Sequence, residues 1–303
     1  MGYFAQNNHL PIDKGVTPMK GIILAAGRGT RLYPMTRPVC KPLLPVYDKP
    51  LIYYPLSVLM QAGIHEVLII VPPGEEGTFA SLLGDGKHLG MDIRYAVQPV
   101  ARGIADALLI GEDFLAGDDV CLALGDNIFH SPTLPAALKR AAAQNHGATV
   151  FGYYVDDPRP FGVVEFDANG RAISIEEKPQ HPKSHYIIPG LYFYDNQVID
   201  IARNLKPSAR GELEITDVNL EYLRREQLKV VRLEQDFVWL DAGTADSVLE
   251  AAETVRDIQR DTGHYVGCIE KCALEAGWIS AEQVHQLGTE LEKTQYGQYL
   301  LSL

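Results

Sequence analysis

Cysteine is scarce in this chain, at four in 303 residues. Cys40, Cys121, Cys268 and Cys272 contain no C-x-x-C pair, which excludes a disulfide scaffold and a thiol redox motif. Cys268 and Cys272 are spaced to share a helical face, yet no nearby histidine pair completes a zinc site, so all four read as packed thiols. Long apolar runs are missing as well. No stretch reaches the ~18 residues of a membrane span, and Met1–Lys20 holds no run fit for a secretory signal, so a cytoplasmic protein away from membranes is expected. Positive charge is in deficit: 27 Lys and Arg against 39 Asp and Glu leave a formal charge of −12. With no segregated basic run, that balance makes nucleic acid a poor partner. Apolar residues are plentiful, at 46%. They can fill the core of one large α/β domain or two small ones, which excludes a disordered chain.

Residues 1–19 are polar and aperiodic and read as an extension outside the fold. From Lys20, short β-like runs alternate with longer helical ones. The strands Gly21–Ala25, Val67–Val71, Ile93–Val97 and Val120–Leu124 enclose helices at Leu51–Ala62, Thr78–Leu83 and Gly103–Leu115, a doubly wound pattern. After a helix at Leu134–Gln144 the texture turns strand-rich: Ala148–Val155, Val163–Phe166, Ala172–Glu177 and Gly190–Tyr194, with a hairpin signal at Asn169-Gly170. Helices at Gln197–Asn204 and Ile215–Arg225, strands at Lys229–Leu233 and Phe237–Leu240, and a long helix at Ala245–Arg260 follow. The expected class is α/β, a Rossmann-like mixed, mostly parallel sheet layered with helices, with a strand-rich second lobe and C-terminal helices. We divide it into a core at 20–260, with lobes at about 20–147 and 148–243, and a helical segment at 261–303.

The segment Gly21–Leu32 carries the first chemical signal. An apolar strand runs into a loop of small residues, Ala26, Gly27 and Gly29, where backbone N–H groups can approach and hold phosphate. A Walker A loop would end Gly-Lys-Ser/Thr, and here the place reads Gly29-Thr30-Arg31; a G-x-G-x-x-G fingerprint is absent too. The second strand ends at Val71-Pro72-Pro73 without the acid that would hold a ribose, which disfavours a nicotinamide-dependent oxidoreductase. Prolines 34, 38, 42 and 45 prevent a regular helix between Arg31 and Lys41, so a stiff loop would hold both cations near the first strand's carboxyl end. The plain alternative is that both are solvated surface charges.

Ala26–Leu32 followed by Lys41–Pro45 resembles the signature of the sugar-1-phosphate nucleotidyltransferases. The likeness runs from Met19 to Leu303 and includes Tyr47–Ser57, Gly125–Asn127, Phe161–Asp167, Glu176–Pro179, Arg210–Asp217, Trp239–Thr244 and Tyr296–Leu300. Within the family it is similar to the thymidylyltransferase branch, which joins dTTP to α-D-glucose 1-phosphate. It departs from that branch at Ala26, Pro42 and Val100–Arg102, positions that bear on the base.

The resemblance implies roles residue by residue. Asp126, after the run Val120–Leu124, and Asp241, after Phe237–Leu240, would hold Mg²⁺; each read alone is equally an Asx turn or helix cap. A hard cation on carboxylate and phosphate oxygens suits a reaction between two polyanions in a protein of charge −12. Arg31 would stabilise the leaving pyrophosphate and Lys41 would bridge phosphate oxygens, with Ala26, Gly27, Gly29 and Thr30 lining the nucleotide. Gln98 would pair with the base edge while Gly103 makes room for the ring. Glu177 would accept from sugar hydroxyls and Lys178 would hold the sugar's phosphate, provided the strand ends or bulges there so that both reach one ligand. Asn127, Gly162 and Ile188 complete the sugar side. Tyr53, Tyr54, Tyr192 and Tyr194 read as packing residues. Family members of this form are homotetramers, dimers of dimers, and the same assembly is expected. The rivals are UTP or another hexose 1-phosphate as substrate, and a non-catalytic sensor on the same fold.

Overall fold

The computed structural model describes residues 18–234 and 236–303. The extension assigned to residues 1–19 falls mostly outside them, and its last residue, Met19, already opens the first strand. In chain order the elements are β1 (Met19–Leu24), β2 (Pro45–Val46), β3 (Lys49–Pro50), α1 (Tyr53–Gln61), β4 (Glu66–Val71), α2 (Glu76–Leu83), β5 (Asp92–Val97), α3 (Asp106–Ile110), α4 (Glu112–Leu115), β6 (Asp119–Leu124), β7 (Asn127–His130), α5 (Leu134–Ala143) and β8 (Ala148–Tyr154). They continue with β9 (Gly162–Phe166), β10 (Ala172–Glu177), β11 (Tyr186–Ile187), β12 (Leu191–Tyr194), α6 (Val198–Arg203), α7 (Ile215–Arg224), β13 (Leu228–Arg232), β14 (Val238–Asp241), α8 (Ala245–Thr262), α9 (Ile269–Glu275), α10 (Ala281–Glu290) and α11 (Gln295–Leu301).

One sheet of ten strands runs β10-β9-β11-β8-β12-β6-β1-β4-β5, with β13 beside β8. The neighbours β6, β1, β4 and β5 are all parallel, so their carboxyl ends share one edge, where ligands of such sheets bind. Antiparallel pairing enters at β12 and dominates the second half. Ile22 and Ile23 point to opposite faces of β1 and both are fully buried, each in a different apolar cluster. A strand covered on both faces reads as a continuous apolar run, which is why β1, β4 and β6 stand out in the sequence. Burying one such side chain favours folding by about 1.5–3 kcal/mol.

One expected element differs and one was not foreseen. The helix expected at Gly103–Leu115 starts later and is split into α3 and α4 at Gly111. A Cβ at Gly111 would lie 2.5 Å from Ile22 Cδ1, so close packing on β1 takes precedence over helix continuity there. Asn127–His130, given no element in the sequence reading, is β7, and it pairs with β14 in a separate two-stranded ribbon. The C-terminal segment is helical, and α9 packs on α1. Lys49, 4% exposed, ties that segment to the β2–β3 hairpin. Its ammonium pairs with Asp48, donates to Gln259 Oε1 at 3.1 Å, and lies 5.3–5.6 Å from the ring centres of Tyr54, Tyr265 and Tyr296. All four cysteines are buried and free, and burial pushes the Cys40 and Cys272 thiols up to about 12, which disfavours their reactive thiolates. Among the described residues no helix is long and apolar enough to cross a membrane.

Candidate active site

Three stretches far apart in sequence meet at the carboxyl edge of the parallel strands. The β7–β14 ribbon does most of the positioning. Its register sets Asp241 opposite Asn127, and the Ala242 N–H donates to Asp126 O at 3.2 Å, so the two acids stand side by side. Lys41, 6% exposed, forms an ion pair with Asp126 and stands 4.0 Å from Asp241 Oδ1. Arg31 closes the group: a Cβ on Gly243 would lie 3.3 Å from its Nη2 and 2.9 Å from Asp241 Oδ2. Immediately beyond, Thr244 caps α8 in a reciprocal pairing with Ser247, fixing the turn that follows Asp241. Burial, and next the negative charge of Asp126, push the Asp241 carboxyl above its usual range; Lys41 and Arg31 oppose the shift.

The glycine loop reaches the same place. Gly29 has a left-handed φ of 59°, and a Cβ there would meet Thr36 Cγ2 at 3.0 Å and Lys41 Cβ at 3.1 Å. Glycine is therefore required for Lys41 to pack against the loop. Gly27 differs: it is exposed, and an added Cβ would touch nothing in the protein. Thr30 and Arg31 lie in a short 3-10 turn whose Leu32 N–H donates to Gly29 O at 2.9 Å, and Ala26 is buried.

A cavity of about 770 Å³ extends from Arg31, Asp126 and Asp241 to Gly162, Glu177, Lys178 and Ile188. Such a volume suits a small-molecule site. The strand ending expected at 177–178 is present: β10 stops at Glu177, and Lys178 has a φ of 46°, rare for a residue with a side chain. Both side chains thereby line one cavity. Glu177 Oε2 accepts from Thr216 Oγ1 at 2.6 Å, and Lys178 Nζ is 3.6 Å from Glu177 Oε1. Asn127 Oδ1 is already shared by the Trp239 indole N–H at 2.6 Å and the Gly190 N–H at 3.2 Å, while its Nδ2 donates to Asp126 Oδ1 at 2.9 Å. Asn127 thus braces Asp126 as well as lining the cavity.

Gln98 and Gly103 stand outside the lining of this cavity. Gly103 has a φ of 104°, and a Cβ there would be 2.4 Å from Leu213 O. Its lack of a side chain serves the backbone of the 208–214 loop, a requirement independent of any base. That loop supplies residues the sequence reading left without roles: Arg210, which bonds Glu214 and comes within 3.4 Å of Glu177 Oε1, and Glu212. Trp239 and Phe161 meet edge to face at 5.3 Å and form a wall. Tyr192 packs on Tyr194 as expected but also faces the cavity; burial first, then Glu177 and Asp126, push its phenol up. The alternation of charge in Arg210-Gly-Glu-Leu-Glu214 was the available signal for this loop.

Among the described residues no cluster of three or more His, Cys, Asp or Glu side chains could hold a metal by itself. Asp126 and Asp241 offer paired hard oxygens; burial first and then their mutual repulsion raise the Asp241 carboxyl, and a divalent cation would offset both. The donor set therefore fits a cation that takes one or two carboxylates and completes its shell with phosphate oxygens.

Residues 20–258 match the family model described as nucleotidyl transferase. The chain is 56% identical to a glucose-1-phosphate thymidylyltransferase of Neisseria meningitidis over 94% of its length and 99% of the relative's. It is 53% identical to the Mycobacterium tuberculosis protein of the same name, covering 94% and 99%. A Bacillus anthracis crystal structure, provisionally a glucose-1-phosphate thymidylyltransferase and bound to sucrose, superposes with a TM-score of 0.73 at 44% identity, covering 79% of this chain and 96% of that one. A UDP-glucose pyrophosphorylase bound to UDP-glucose shares the fold, with a TM-score of 0.69 at 23% identity over 79% and 99%. A chain matched by this family model over most of its length, with an acid pair, two cations and a glycine loop at one sheet edge, belongs to the nucleotidyl transferase family.

Proposed function

We propose that this enzyme transfers a deoxythymidylyl group from dTTP to α-D-glucose 1-phosphate, yielding dTDP-glucose and pyrophosphate. A phosphate oxygen of the sugar 1-phosphate attacks the α-phosphorus of dTTP in line. A new P–O bond forms, the bond from the α-phosphorus to the α–β bridging oxygen breaks, and its electron pair leaves with pyrophosphate. No covalent enzyme intermediate is needed, so catalysis is positioning and charge stabilisation.

Arg31 neutralises the departing pyrophosphate and Lys41 spans the α- and β-phosphate oxygens. Lys178 aims the attacking phosphate while Glu177 accepts from sugar hydroxyls. Asp126 and Asp241 would hold a divalent cation, Mg²⁺ in this reaction. When bound, that ion supplies charge neutralisation and polarises the α-phosphate. The carrying observation is the convergence of Lys41 on both Asp126 and Asp241 at the mouth of a cavity that also presents Glu177 and Lys178. The names of the near relatives support the choice of dTTP and glucose 1-phosphate. The likeness of the C-terminal segment supports a homotetramer, a dimer of dimers.

Pyrophosphate release measured over a panel of nucleoside triphosphates and sugar 1-phosphates tests the reading. The fastest pair is expected to be dTTP with glucose 1-phosphate. A faster pair with UTP or another hexose 1-phosphate replaces the substrate assignment, and release with no pair replaces the enzyme by a sensor.

A further inference from the structure

We propose that Asp106 and Arg102 are positioning residues that hold the Gln98 amide in one orientation, so that the base subsite takes a 2,4-dioxopyrimidine, thymine or uracil, and turns away cytosine. The proposal rests on the reading that Gln98 faces the nucleotide base. Gln98 follows β5, and its backbone N–H donates to Val71 O at 3.0 Å, at the sheet edge where the glycine loop also leaves. The residue is 5% exposed. Its Nε2 donates to Asp106 Oδ2 at 2.9 Å and to Gly103 O at 3.5 Å. Both partners are acceptors, so reversing the amide would turn its oxygen against oxygens and leave buried groups unpaired.

Asp106, 1% exposed, is itself held, because Arg102 donates to its Oδ1 at 2.6 Å. The loop bearing Arg102 is fixed in turn by the Leu213 N–H, which donates to Arg102 O at 2.6 Å. Gln98 Oε1 is left with no partner among the described residues, and it is not one of the sealed polar atoms that lack one. The side chain therefore presents an acceptor. Thymine and uracil bring an N3–H donor to such a group, whereas cytosine brings a lone pair at N3. An unrestrained glutamine would turn its amide to suit either base.

The test is the preference for dTTP over dCTP, taken as the ratio of kcat/KM for pyrophosphate release and, independently of turnover, as the ratio of calorimetric dissociation constants. The wild type is expected to favour dTTP. Asp106→Asn offers Gln98 an amide that can face it either way, and it is expected to lower the ratio at least about tenfold, chiefly by gain on dCTP. Arg102→Met removes a mostly exposed guanidinium while keeping an unbranched side chain, and about a threefold drop is expected from the loosened carboxylate. An unaltered ratio in folded Asp106→Asn, or in Arg102→Met should the first variant fail to fold, overturns the proposal; so does a wild type without the preference. Gln98→Leu separates the underlying reading. If it keeps the wild-type ratio, Gln98 does not read the base. If it abolishes the ratio while the other two variants keep it, Gln98 reads the base and the restraint by Asp106 and Arg102 is refuted.

Discussion

Asp241 is held by opposed forces, and the sign of its shift has a consequence for stability. Burial and the neighbouring Asp126 raise its carboxyl against the pull of Lys41 and Arg31. An acid whose pKa is raised on folding binds its proton more tightly in the folded state. Its contribution is thus most favourable at low pH and is lost as pH rises from the ordinary carboxylate range through the raised folded value. Above that window the ionised pair opposes folding. In metal-free, nucleotide-free protein, Asp241→Asn is therefore expected to raise the melting temperature by about 2–4 °C at neutral pH, with a smaller gain under acidic conditions. Scanning calorimetry in chelator at two pH values checks this, and equal or lower melting temperatures at neutral pH would count against the electrostatic account. The glycine loop and the proline-stiffened segment marked Arg31 and Lys41 in the sequence, whereas Asp126 and Asp241, which read alone are as well Asx turns or caps, were singled out by the family resemblance. Arg210, Glu212 and Trp239 lie in stretches that the resemblance covers, yet no role was legible for them, since a charged loop and a strand aromatic look alike whether or not they face a cavity.

Elements succeed or fail here by what packs on them. The strands buried on both faces were readable within a residue or two, and the Asn169-Gly170 hairpin joins β9 and β10 as its turn chemistry dictates. The short strands β7 and β11 gain their pairing only from distant partners, which no local pattern announces. The 98–105 and 208–214 loops make the same point more sharply, because they are joined backbone to backbone: Leu213 donates to Arg102 O at 2.6 Å and accepts from the Ala105 N–H at 3.2 Å, with Gly103 between. Gly103→Ala combines a strained φ with a Cβ 2.4 Å from a carbonyl oxygen. The expected cost is about 2–4 kcal/mol. Because the two loops are bonded to each other, a shift in one displaces the other, and KM for both substrates is expected to rise. Denaturant unfolding and steady-state kinetics measure the two effects; a wild-type midpoint or a change confined to one substrate would show that the loops are independent.

At the scale of the whole molecule, one sheet carries both halves of the cleft, and the buried Lys49 joins the hairpin that follows Lys41 to α8 and the C-terminal helices. A chain with formal charge −12 can gather two phosphate-bearing substrates only where local cations outweigh the general field. In the proposed function that balance falls at Arg31, Lys41, Lys178 and an ion shared by Asp126 and Asp241. The most direct test is the rate of pyrophosphate release as Mg²⁺ is titrated into wild type and Asp241→Asn, with dTTP and glucose 1-phosphate saturating. Wild type should be inactive in chelator, and the variant should need at least about tenfold more Mg²⁺ and turn over about 10²–10³ times more slowly while remaining folded. Matching Mg²⁺ curves and matching turnover in the folded variant would contradict the shared-ion site.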